Sequence, residues 1–387
     1  MVKRIIIFFF IFIIQFIYAQ SDSLTKEKNK FNPEFNSNNG FILKNFPNVP
    51  DENFVSLHSI NICYQTKGAD LWHQFYNFPK IGVETSFGIF QSKEFGFLIG
   101  AVPNLVFKNR NNFYFKIGFG AAFFNKPYNL ITNNRNLYIG SNFTNMTTFC
   151  FGRGFKIGEQ LVFNLGLTYA HFSNGHTTLP NVGMNSFLLN LGIEAQESKP
   201  KKNLPDLKLK NKLIYSVRAS IGFHEFGATT KAVGGPTYPS YHGSFFVSKP
   251  FKNIHVVDFG FVASYYTSFQ DYIVSQEVYK TNIKLKSSTG VVFVGHEFIF
   301  GKFGFSTQLG IYVYNPFFIQ QKKIEGTWNS ASEKLAAINT NRLGLIYYPF
   351  KKKNSLNQIK NQFMLGMYIK ANLGQADMFE YLIGYRF

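Results

Sequence analysis

The stretch that decides the fold is Leu161-Val162-Phe163-Asn164-Leu165-Gly166-Leu167-Thr168-Tyr169-Ala170-His171-Phe172-Ser173. In an extended chain successive side chains point to opposite faces. One row therefore holds Leu161, Phe163, Leu165, Leu167 and Tyr169, and the other Val162, Asn164, Gly166, Thr168, Ala170 and Phe172. His171 and Ser173 continue the first row two residues apart, a spacing of about 7 Å on one strand face. A potential base and a potential nucleophile thus cap an oily wall.

The same period of two extends in both directions. In Asn112–Phe124 the rows are Phe113, Phe115, Ile117, Phe119, Ala121, Phe123 against Tyr114, Lys116, Gly118, Gly120, Ala122. Lys302–Tyr314 alternates in the same way. The last strand sets Phe379, Tyr381, Ile383, Tyr385 and Phe387 against Glu380, Leu382, Gly384 and Arg386, and this ending resembles the terminal recognition strand of bacterial outer-membrane barrels. The 387 residues include 48 phenylalanines, and no stretch after the N-terminal leader is long and apolar enough for a membrane helix. Short alternating segments of that composition predict an all-β chain, a transmembrane antiparallel outer-membrane β-barrel.

The chain opens with Lys3-Arg4, an apolar run from Ile5 to Ile17, and Tyr18-Ala19-Gln20. That is the pattern of a secretory signal peptide over residues 1–19, cleaved near Ala19, with the cell outer membrane as destination. Residues 20–52 are polar, contain Pro33, Pro47 and Pro50, and read as a mobile periplasmic lead-in or a partial plug. The barrel is expected over 53–387. Fifteen candidate strands run from Ser56–Tyr64 to Asp377–Phe387, and single-chain bacterial barrels prefer even numbers. Asp70–Phe78 is the best sixteenth. The expectation is one barrel of about 14–16 strands, best sixteen.

The formal net charge of +19 is spread over Asn- and Lys-rich loops. Such loops fit attraction to anionic head groups, or simple compositional bias, and argue against a nucleic-acid partner. Cys63 and Cys150 are too few for a disulfide scaffold; one bridge stays open, and neither receives a role. The pairs His224-Glu225 and His296-Glu297 face opposite sides of their strands, and there is no metal motif, phosphate loop or dinucleotide fingerprint. No cofactor is expected.

After the His-Ser pair come Asn174-Gly175-His176-Thr177-Thr178-Leu179-Pro180-Asn181-Val182-Gly183-Met184-Asn185. On residues alone, Ser-Asn-Gly after a strand is an ordinary turn signal. The segment nonetheless resembles the PagL-type lipid A 3-O-deacylases and the longer acyloxyacyl hydrolases, which carry His-x-Ser-Asn followed by Pro-Asn and glycine. The resemblance implies that Ser173 is the nucleophile, His171 its general base, and Asn181 an oxyanion contributor, with Asn174 or a nearby backbone N–H such as that of Gly175. The short deacylases have glutamate where Asn185 stands here. By parity Asn185 shares its face with Phe187, Leu189, Leu191 and Ile193, so it is placed to orient His171, whereas Glu194 has the wrong parity. Tyr169, Leu167 and Phe187 would contact acyl chains.

The partners implied are lipid A or lipopolysaccharide in the outer leaflet, together with membrane lipids. Lipid A lies outside, so the strand entering the 174–183 loop must be odd-numbered if the N-terminus is periplasmic. Counting Asp70–Phe78 makes it the seventh. Two other readings stand beside the esterase: a non-enzymatic channel, since sixteen strands enclose a lumen, and adhesion through the loops Gly227–Pro239 and Tyr314–Lys334.

Overall fold

In the computed structural model the described residues are 31–44, 50, 52–196, 212–232, 234–251, 254–351, 360–372 and 375–387. The signal-peptide segment 1–19 lies outside them. The described residues form sixteen antiparallel strands, but they close into two barrels of eight rather than one of sixteen.

The first barrel consists of β1 (Phe31–Ile42), β2 (Phe54–Gln65), β3 (Lys80–Phe90), β4 (Phe97–Lys108), β5 (Phe113–Phe124), β6 (Phe143–Ile157), β7 (Leu161–Ser173) and β8 (Met184–Ala195), with α1 (Leu71–Phe75) between β2 and β3. β1 closes it by pairing with β2, where Phe35 faces Ile60, and with β8, where Phe41 faces Phe187. The expected mobile lead-in over 20–52 therefore contains a strand. Its inward row, Glu34, Asn36 and Asn38, is polar because the lumen of this barrel is polar. Gly40 is required there, since a Cβ would lie 2.1 Å from the Phe187 carbonyl oxygen.

Asp70–Phe78 is not a strand. Trp72 and His73 are adjacent and both buried, which suits a helical turn and not a period of two. Asn77 and Phe78 then take φ of +58° and +55°, left-handed values no strand can contain. The sixteenth strand is β1, so His171 and Ser173 still lie on the seventh.

The second barrel consists of β9 (Ile214–Glu225), β10 (Thr237–Phe251), β11 (His255–Tyr266), β12 (Ser288–Phe300), β13 (Phe303–Tyr314), β14 (Asn339–Tyr347), β15 (Gln362–Asn372) and β16 (Gln375–Arg386). It closes between β16 and β9, with Phe379 opposite Phe223. Helices α2 (Thr267–Ser275) and α3 (Ile283–Lys286) join β11 to β12, and α4 (Pro316–Ile324) and α5 (Ala331–Ile338) join β13 to β14. Phe269 of α2 stacks on Phe317 of α4 with ring centroids 4.1 Å apart, and Phe226 packs against Tyr272 at 5.5 Å.

In both barrels the outer rows are apolar and exposed, and the inner rows are buried. Leu167 and Phe187 are 63% and 54% exposed. The first lumen is filled by ion pairs: Lys80 with Glu34 (3.2 Å) and Glu194 (2.6 Å), Lys108 with Glu194 (2.9 Å), and Lys116 with Glu84. A cavity of only about 20 Å³ remains among them, room for about one water. Eight-stranded barrels are narrow enough for side chains to fill. Cys63 and Cys150 are both buried and free, so the open disulfide is not formed.

Two compact units divide the chain. The first comprises 1–127, 142–172 and 184–204; the second comprises 128–141, 173–183 and 205–387.

Candidate active site

The edge of β7 and β8 carries one polar cluster. Pairing places His171 opposite Asn185, and both side chains continue the outer row, as their parity required. His171 Nδ1 donates to Asn185 Oδ1 at 2.7 Å, and the Tyr169 hydroxyl donates to the same oxygen at 2.6 Å. Nε2 of His171 is thereby left as the ring's lone-pair nitrogen. Tyr169 is half-buried, its ring 5.3 Å from that of Phe187 and 6.4 Å from that of Phe149. Its phenol, expected only to touch lipid, is a hydrogen-bond partner of the asparagine. Glu194 is buried in the lumen with Lys80 and Lys108, the wrong face for His171.

A second cluster lies in 173–183. Ser173 is 4% exposed. Its Oγ accepts from Asn181 Nδ2 at 2.9 Å and from the Gly175 backbone N–H at 3.1 Å. Two N–H donors thus converge on the hydroxyl oxygen itself. Asn181 Oδ1 accepts from the Asn174 N–H at 3.2 Å, which fixes which end of the amide faces Ser173. The Asn174 side chain turns away: its Nδ2 donates to the Thr178 carbonyl at 2.7 Å and to Ser141 Oγ at 3.3 Å. Of the expected oxyanion contributors, Asn181 and Gly175 are therefore brought to Ser173, and the Asn174 side chain is not.

Gly175 has φ of +64°, and a Cβ there would lie 2.2 Å from the Phe379 ring. Only glycine fits. His176 is a buried loop residue whose Nε2 donates to the Gly227 carbonyl at 3.2 Å. Sequence reasoning missed Glu225, whose carboxylate accepts from the Leu179 N–H at 2.6 Å. Forty-six positions separate them, and no local pattern signals the contact.

A closed antiparallel barrel with a polar, charged interior and an exposed apolar outer row defines a class, the barrels of outer-membrane type. Comparison with known proteins narrows it. The lipid A 3-O-deacylase (PagL) family matches residues 58–194, and the acyloxyacyl hydrolase C-terminal domain matches residues 213–331. These matches cover most of the chain, one per barrel, and the chain belongs to this family of lipid A deacylases. Membership implies a lipid A or lipopolysaccharide substrate and an outer-membrane location.

No curated protein matches the chain. Among solved structures it is similar to CdiB from Acinetobacter baumannii at 10% identity and a TM-score of 0.20, covering 92% of this chain and 60% of that one. A mutant of Rh. blastica porin follows at 9% identity and 0.18, covering 92% and 99%, and a bacterial polysaccharide outer membrane secretin at 8% and 0.21, covering 94% and 100%. Likenesses at these scores bear on neither the fold nor the function.

Proposed function

We propose that this lipid A deacylase is a serine esterase acting at the outer wall of its first barrel. The observation that carries the reading is the convergence of Asn181 Nδ2 and the Gly175 N–H on Ser173 Oγ, in a chain where the histidine two residues earlier has its Nδ1 committed to Asn185. Serine is a weak nucleophile until a base takes its proton. In the proposed step His171 Nε2 accepts the Ser173 hydroxyl proton as Oγ attacks the ester carbonyl carbon. The carbonyl π electrons move to oxygen, and Asn181 and Gly175 donate to that oxyanion. Collapse breaks the bond to the sugar oxygen, which leaves with the proton from His171, and an acyl-Ser173 ester remains. A water then loses its proton to His171 and attacks that ester; the second collapse returns the proton to Ser173 and frees the fatty acid.

Asn185 orients the imidazole and holds its tautomer, but a neutral amide stabilises imidazolium less than a carboxylate does. The apolar wall supports an acyl-chain role. Tyr169, Leu167 and Phe187 line the edge, and farther along the same barrel a groove of about 710 Å³ is lined by Phe35, Ile60, Phe87, Phe163, Leu191 and Ile193. With the N-terminus periplasmic, the seventh strand ends on the outer side, where lipid A lies.

The channel reading required a wide lumen, and the filled lumen of the first barrel speaks against it. Mass spectrometry of lipid A from cells expressing wild type or Ser173→Ala tests the proposal. Wild type is expected to shorten lipid A by one acyl chain and Ser173→Ala to leave it intact; equal acylation with both defeats the esterase.

A further inference from the structure

The segment that carries Ser173 and Asn181 takes its fixed hydrogen bonds from within the second unit. The Asn181 N–H donates to the Thr229 carbonyl at 2.7 Å, and the Glu225 N–H donates to the His176 carbonyl at 2.8 Å. Glu225 is 3% exposed and uses both carboxylate oxygens: Oε2 accepts from the Leu179 N–H at 2.6 Å and Oε1 from the Gly235 N–H at 2.8 Å. An ionised carboxylate offers acceptors only, so both N–H groups meet a lone pair. Charge-assisted bonds of this kind are roughly twice as strong as neutral ones. Leu179 lies two residues before Asn181, so the clamp acts on the backbone that aims the Asn181 amide.

We propose that Glu225 is a positioning residue for the ester hydrolysis, and that through it the acyloxyacyl hydrolase C-terminal domain holds the oxyanion donors of Ser173 in place. The inference rests on the serine-esterase reading. Glu225 falls in the C-terminal match, 213–331, and outside the deacylase match, 58–194. The second barrel then contributes alignment to the chemistry and no reacting group.

The test uses full-length protein in detergent micelles, with purified lipid A as substrate and released fatty acid as the readout. Wild type, Ser173→Ala, Glu225→Gln and Glu225→Ala are compared. Glutamine keeps the volume but turns an NH2 toward one of the two N–H donors. Glu225→Gln is expected to lower kcat at least tenfold with KM unchanged, and to speed amide hydrogen exchange in 174–183. If Glu225→Ala fails to fold, the glutamine variant decides. Wild-type kcat and exchange in Glu225→Gln, with Ser173→Ala inactive, overturns the positioning role and leaves the esterase standing. Undiminished activity in Ser173→Ala removes both.

Discussion

In the first barrel three lysines meet three glutamates across the lumen, whereas the second sets its charges in an apolar packing that includes Phe246, Phe293, Ile346, Tyr348 and Met364. There Arg386 pairs with Glu297 at 2.7 Å, Arg342 with Glu380 at 3.0 Å, and Lys370 with Asp377. At their edges the barrels differ more. The first presents His171, Asn185 and Tyr169 on its outer wall; the second presents Glu225 and the helices α2 to α5. Buried charge is common to both barrels and therefore marks no site. A polar notch at the end of an oily row is found with the family's deacylase half, and there the chemistry is proposed.

The largest expected effects separate the two lumens. Glu297→Ala would leave Arg386 with Asp258 at 3.6 Å as its remaining carboxylate and the Tyr348 hydroxyl without its acceptor. Removing one partner of a buried pair costs about 3–5 kcal/mol. Denaturant unfolding in micelles should show a loss of that size, and Glu194→Ala, which takes a carboxylate from Lys108 and from Lys80 while Lys80 keeps Glu34, should do the same to the first barrel. A loss under 1 kcal/mol in either would mean that its lumen charges are interchangeable with packing.

Next comes Asn181→Ala, expected to lower kcat by about 10²–10³, the usual effect of deleting one oxyanion donor. Steady-state fatty-acid release measures it. Asn185→Ala should cost less, about 10–100-fold, because it removes the orientation of a base whose whole contribution is roughly 10²–10⁴. Asn185→Glu should raise kcat above wild type if the amide is the weak member of the triad; a fall would show that this edge is built for asparagine. In both proteins the base must be neutral, so log(kcat/KM) should drop by about one per pH unit on the acid side of the imidazole titration. The smallest effect is expected for Tyr169→Phe, which deletes one of two hydrogen bonds to Asn185 Oδ1, about 0.5–1.5 kcal/mol in the activation barrier.

Much of this arrangement was legible in the residues. Period-two alternation identified fifteen of the strands, and parity alone put His171, Asn185 and Phe187 on the outer wall and Glu194 inside. Three things were not legible. β1 was hidden because its inward row is polar, a composition that reads as linker until a charged lumen is there to receive it. Closure into two barrels depends on whether β8 pairs with β1 or with β9, and alternation is identical in either case. Glu225 was invisible because a carboxylate clamping a backbone amide 46 residues away leaves no spacing to read. The turn residues of 174–183 identified the loop, yet the distinction between Asn181, which faces Ser173, and Asn174, which faces Thr178, came only from three-dimensional pairing.

The central claim is that Ser173 is the nucleophile, and a lipophilic phosphonate ester that phosphonylates activated serines tests it most directly. Incubated with the full-length protein in micelles and read by peptide mass spectrometry, it should add one equivalent at Ser173, react more slowly with His171→Ala, and not label Ser173→Ala. Stoichiometric labelling that persists in Ser173→Ala, or an unlabelled wild type that still deacylates lipid A, would contradict the account.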